Sequence, residues 1–223
     1  MRAALPRRWF CAAALAGCAH EPPAAPPGTM IPPYFAQWES PELVEAFLNG
    51  RDAATDPRWA ESGAADAAEY ARWAEHLCGM ACLRMAMAAR GESLTIHDLR
   101  RAVQPLGGYV EEPGGFIRGL IYAGAVRWLN DRGIAARIVL DEPMPALGRG
   151  EFYIASVHAA IRTPEVEPPR KGGHLVLVFG ADEAGRWRFH NPSGIGVAQQ
   201  RDVRLSPAAF SRFHADRGIL IPL

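Results

Sequence analysis

The spacing of hydrophobic and polar positions changes character near residue 135, from stretches with a helical period to short apolar runs separated by turns. In the first part, Ser40-Pro41 ahead of residues 42–48 supplies an N-cap and an N1 proline, and Asn49-Gly50 ends that helix. Residues 63–75, rich in Ala and Glu with Tyr70 and Trp73 three apart, predict a second helix. Residues 79–89 read GMACLRMAMAA, apolar on nearly every side except Arg84, which predicts a buried central helix. Thr95 caps a fourth helix running to about Val103, and an amphipathic fifth spans residues 117–132 and stops at Gly133. Beyond it, residues 135–140, 151–161, 174–181, 186–190, 197–205 and 218–223 are strand candidates, and residues 207–214 a short helix. Asp182-Glu-Ala-Gly185 joins two of the strands as a hairpin, Gly185 being free to take a positive φ. No internal repeat is visible. The pattern predicts an α+β domain over residues 31–223, a helical half whose central buried helix packs on an antiparallel sheet.

Composition sharpens this only at the N-terminus. With 223 residues, 49% of them hydrophobic, the chain can bury one sizeable core, and a formal net charge of zero offers no basic face for a nucleic-acid partner. Residues 1–17 stand apart: Arg2, Arg7 and Arg8 precede a short apolar run and small residues, the order of a secretory signal. The run is shorter than the roughly 20 apolar residues a membrane span needs. Leu15-Ala16-Gly17-Cys18 resembles the bacterial lipobox, which implies cleavage before Cys18 and fatty acylation, palmitate included, of that cysteine. The alternative is an ordinary signal peptide that contains Cys18. Cleavage removes three arginines and no acid, leaving a formal charge of −3, so attachment to a membrane would come from lipid and not from a polybasic surface. Pro22, Pro23, Pro26 and Pro27 make residues 18–30 a semi-rigid spacer. By resemblance to lipoproteins of double-membrane bacteria, Ala19 does not signal inner-membrane retention, which implies the outer membrane facing the periplasm.

The chemistry gathers on few residues. Cys78 sits where a loop enters the buried helix, beside unpaired N–H groups and the positive end of the helix dipole, a place that favours thiolate. Gly79 after it permits close approach by a neighbour. Among the histidines, His20 lies in the spacer, His97 in a helix that looks exposed, and His76 in the loop next to Cys78. His158, His190 and His214 have no distinguishing context. His174 opens an apolar strand after two glycines, where its ring can face a cleft, and Asn191 at the end of the next strand lies beside it in the expected hairpin. A Cys–His pair with an orienting third group is the requirement of nucleophilic catalysis. Bland alternatives stand beside each residue: Cys82 as a small core hydrophobe, a strained Cys78–Cys82 disulfide, a zinc site of His76, Cys78, Cys82 and His174 lacking paired-motif spacing, His174 as a satisfied strand residue, Asn191 as a turn former before Pro192.

These residues resemble the papain-like cysteine peptidases of the C39 type and their C39-like relatives. Cys78-Gly-Met-Ala-Cys-Leu83 is similar to the nucleophile motif, Gly173-His174 through Gly180-Ala181-Asp182 to the base motif, His190-Asn191-Pro192 to the orienter and Pro33-Tyr-Phe-Ala-Gln37 to the oxyanion glutamine segment. The resemblance implies a thiol hydrolase acting on a peptide or protein substrate, with Cys78 as nucleophile, His174 as base, Asn191 as orienter and Gln37 as oxyanion donor, and with neither metal nor cofactor. Passing the acyl group to an amine would make the same site a transferase. Two departures stand out. Gln37 lies 41 residues before Cys78, so an insertion of two helices must fold away for its amide to reach the site. Asn191 replaces the more usual Asp, with Asp182 a possible substitute. They leave room for a non-catalytic papain-like lipoprotein that binds a periplasmic peptide or envelope component. No transporter accompanies the domain, so processing of double-glycine leaders is not expected; the oligomeric state is not legible.

Overall fold

A computed structural model describes residues 30–222; the signal segment, Cys18 and most of the spacer lie outside them. The helical half contains α1 (Val44–Leu48), α2 (Ala67–Ala74), α3 (Cys78–Ala89), α4 (Ile96–Val103) and α5 (Tyr122–Asp131). The second half contains β1 (Arg137–Leu140), β2 (Glu151–Val157), β3 (His174–Ala181), β4 (Trp187–His190), α6 (Val197–Gln200), β5 (Val203–Leu205), α7 (Pro207–Ser211) and β6 (His214–Pro222). The six strands form one sheet in the order β1-β6-β2-β3-β4-β5, with every neighbouring pair antiparallel. The expected α+β architecture, a buried central helix on an antiparallel sheet, is the one observed.

The central helix and the middle of the sheet explain each other. On β3, Leu175, Leu177 and Phe179 join the core that surrounds α3, while Val176 and Val178 face a second core with Phe189, Phe210 and Phe213 on the opposite side. A strand covered on both faces reads as an unbroken apolar run, as β3 does. Gly79 lets α3 lie down on it: a methyl there would stand 2.6 Å from Leu120 and 2.9 Å from Leu175 side-chain atoms.

The insertion between Gln37 and Cys78 builds a small core in which Trp38, Val44, Phe47, Tyr70 and Ala74 pack with Ala36 just ahead of it. Asp56 ties it together, accepting from Ser40 Oγ at 2.6 Å and from Tyr70 Oη at 2.5 Å. Ser40 therefore spends its hydroxyl on Asp56 and makes no capping hydrogen bond to the turn that follows it. Arg84, the polar break in α3, pairs with Glu39 at 2.7 Å and stacks over Phe35 at 4.1 Å, clamping the segment that bears Gln37 to the central helix.

Several elements differ from the sequence expectation, among them the strand expected over residues 151–161, which ends at Val157 and gives way to a 3-10 turn over Ala159–Arg162. Helix α5 starts at Tyr122; residues before it run as a loop in which Ile117 bridges to Glu111 and the Ile121 N–H donates to Gly108 O. Apolar spacing in that loop mimicked a helix because Ile117 and Leu120 are buried from an extended chain. Residues 197–205 are a helical turn and a short strand, broken at Asp202, whose φ is +48°. Strand β6 begins at His214, which the sequence assigned to the preceding helix.

Candidate active site

Cys78 is the first residue of α3, and the first-turn N–H groups of a helix have no intrahelical partner. The residue is half-buried and its sulfur lies against the N–H groups of Gly79 and Leu175, so the nucleophile candidate touches the strand residue that follows His174. Cys78 and His174 together line two pockets that flank them. One, of about 310 Å³, is closed by Gln37, Trp38, Phe47, Glu75 and Arg162. The other, of about 250 Å³, is closed by Leu120, Tyr122, Ser156 and Arg217. Cys82, one turn further along α3, is wholly buried; both cysteines are free thiols.

Hydrogen bonds fix the tautomer of His174. Asn191 Oδ1 lies 2.8 Å from His174 Nε2 and also accepts the Ser193 N–H at 3.1 Å, which identifies that amide atom as the oxygen. An oxygen that only accepts requires Nε2 to carry the proton, so Nδ1 presents its lone pair. Ser193 Oγ stands 3.0 Å from the same Nε2 and is itself held by the Arg162 guanidinium at 2.5 Å, with Arg162 Nε donating to Ser193 O at 2.7 Å.

Gln37 reaches the cleft. Its backbone N–H donates to Pro192 O at 2.9 Å and its side-chain Nε2 donates to Ala74 O at 3.1 Å, leaving the second amide hydrogen of Nε2 for the pocket. The four residues picked out in the sequence are thus gathered at one place despite the insertion. Asp182 is not among them: it closes the β3–β4 turn, accepting from Ala184 N, Arg186 N and Arg186 Nε, at the far end of β3.

Electrostatics at the site run against the expectation from the helix end. Burial pushes the Cys78 thiol above its ordinary value, outweighing the N–H groups of Leu175 and Gly79 and the charge of Arg162, which pull it down. Burial likewise drives the His174 imidazole down to about 3, with Arg162 acting in the same direction and the Asn191 hydrogen bond opposing. Burial thus disfavours the charged form of both partners. Arg162 and Ser193 escaped the sequence reading. Ser193 had a signal, since an Asn two residues before a small polar residue makes an Asx turn; Arg162 arrives from a short 3-10 turn after β2 and had none. Two histidines also changed standing. His97 is buried, its Nε2 without a partner, and His190 anchors the N-terminal segment through Pro32 O at 2.9 Å while its Nδ1 accepts the Asp202 N–H.

No family model matches this chain, and no curated protein matches it. Solved structures that it matches include two peptidase domains. The peptidase domain of Streptococcus ComA, a bi-functional ABC transporter involved in quorum sensing, aligns with a TM-score of 0.45 and 16% identity over 67% of this chain and 93% of that one. A double glycine motif protease from an AMS/PCAT transporter, solved in complex with the leader peptide, aligns with a TM-score of 0.44 and 15% identity over 66% of this chain and 84% of that one.

Proposed function

We propose that this protein is a thiol hydrolase of the C39-like, papain-like type that cuts a peptide or amide bond, held at a bacterial membrane through lipid on Cys18. The observation that carries the reading is the His174 ring, whose Nε2 proton is pinned by Asn191 so that Nδ1 is the basic atom in the cleft it shares with Cys78. As the Cys78 sulfur bonds to the substrate carbonyl carbon, its proton passes to Nδ1. The oxyanion is received by the Cys78 N–H and the free Nε2 hydrogen of Gln37. Collapse breaks the C–N bond, the Nδ1 proton leaves with the amine, and water, deprotonated by the same nitrogen, releases the acid from the thioester. An amine in place of that water gives transfer.

A second reading, a binding protein that keeps the shape without the chemistry, is supported by the asparagine at 191 and by the 41-residue separation of Gln37 from Cys78, and burial that disfavours the charged form of both Cys78 and His174 agrees with it. Cleavage of a proteome-derived peptide library, read by mass spectrometry, separates the two. We expect new termini with the wild type and none with Cys78→Ala or His174→Ala. A wild type that leaves the library intact yet retains peptides on the Cys78→Ala background selects the binder. Lipid attachment, supported by residues 15–18 alone, is tested by metabolic labelling with an alkynyl fatty acid, expected to be lost in Cys18→Ala. An outer-membrane position facing the periplasm is tested by membrane fractionation.

A further inference from the structure

The two pockets beside Cys78 differ in charge. The larger holds Glu75 together with Arg162 and the apolar faces of Trp38 and Phe47. The smaller has no carboxylate in its wall; its single charged group is the guanidinium of Arg217. That guanidinium is not spent elsewhere, since Arg217 forms no ion pair with a carboxylate among the described residues. Its neighbour Asp216, at φ +51°, turns instead to Lys171 at 3.9 Å and His214 at 3.5 Å.

Two hydroxyls converge with Arg217. A methyl group on Gly172 would stand 3.1 Å from Arg217 Nη2 and 3.2 Å from Ser156 Oγ, so both polar ends meet at the glycine turn that leads into His174. Ser156 is buried on β2, and the Tyr122 hydroxyl at the start of α5 lies beside both. The same turn carries a further cation, for Arg170 Nη2 stands 3.5 Å from where a Gly173 methyl would be. A guanidinium fork with two hydroxyl donors beside it, in a partly enclosed pocket without competing acid, is the arrangement that receives a carboxylate by charge-assisted hydrogen bonds.

Resting on the hydrolase reading, we infer that the pocket of Tyr122, Ser156 and Arg217 selects substrates bearing a carboxylate next to the bond that Cys78 attacks. Two groups on a peptide have that chemistry, an Asp or Glu side chain and a free C-terminus.

The test measures the rate at which chloroacetyl tripeptides label Cys78, followed by intact-mass spectrometry on the full-length protein. One set consists of peptide amides matched except for Glu against Gln at each position in turn. A second set presents the Gln peptides as free C-terminal acids. We expect one set to label about tenfold faster in its anionic form, the effect of one charge-assisted hydrogen bond; which set does so identifies the source of the carboxylate. The ratio should collapse to about one in Arg217→Gln and recover in part in Arg217→Lys. Equal rates for anionic and neutral peptides on the wild type, or a ratio unmoved by Arg217→Gln, overturn the selectivity alone. A Cys78 that no peptide labels faster than chloroacetamide overturns the hydrolase reading and the selectivity with it.

Discussion

Cys78 and His174, the proposed nucleophile and base, are held by different physics. Cys78 is set by packing: α3 is buried along its length, and its first turn lies on Leu120 and Leu175 with only a hydrogen at Gly79 between them. His174, at the start of β3, is set by a chain of polar atoms, Asn191 and Ser193 on its Nε2 and Arg162 behind Ser193, with His174, Asn191 and Ser193 buried. A packed contact is sensitive first to added volume, a buried polar chain first to the loss of a partner or the gain of a proton.

Acid should separate the two most strongly. His174 is held down to about 3 and His97 to about 4, both by burial first, whereas an unfolded histidine titrates near 6.5. The unfolded chain binds these protons before the folded one does. Their contribution to stability is complete above pH 6.5 and is lost as pH falls towards the folded values, by about 2 kcal/mol for each histidine between pH 7 and pH 5. Urea titrations at the two pH values check this; a midpoint that does not fall contradicts the buried neutral imidazoles. The packed side breaks by volume instead. Gly79→Ala should cost about 1–3 kcal/mol in thermal unfolding, because Leu120 and Leu175 must move or the helix must lift from β3.

Asn191→Ala should remove the acceptor that fixes the ring and lower the reaction rate by about 1–2 kcal/mol of barrier, with a smaller loss of stability. A rate unchanged in that variant would show that packing alone orients His174. The smallest effect sharpens the contrast: Arg162→Gln removes the cation that favours thiolate, so the pH midpoint of Cys78 alkylation should move upward, while His174 regains affinity for a proton. A downward shift would mean that the imidazolium, not Arg162, is the charge that the thiolate feels.

The same division decides what could be read from the sequence. Helix α3, strand β3 and the hairpin between β3 and β4 were legible because burial on all sides and a turn glycine leave marks in consecutive residues. The Cys78, His174 and Asn191 positions followed, since each sits at the end of such an element. Ser193 and Arg162 act through contacts across 31 residues of chain and leave no periodicity. The elevated thiol was illegible for a related reason: helix ends are visible in sequence, but the depth of burial that outweighs them is a property of the assembled cleft. The loop before α5 failed differently, its buried Ile117 and Leu120 having the spacing of a helix without its hydrogen bonds.

The bond from Gln37 N to Pro192 O joins the start of the described chain to the loop after β4 around the cleft, and Tyr34 Oη to Asn191 O repeats the join across 157 positions. Contacts of such long sequence separation pay the largest loop-closure cost and tend to form late. The glutamine amide, the thiol and the oriented imidazole therefore share a cleft only after residue 192 has been synthesised and docked. On the proposed reading, a partly folded chain carries the Cys78 thiol apart from His174 and Gln37, and docking of that loop is the step that would arm the site.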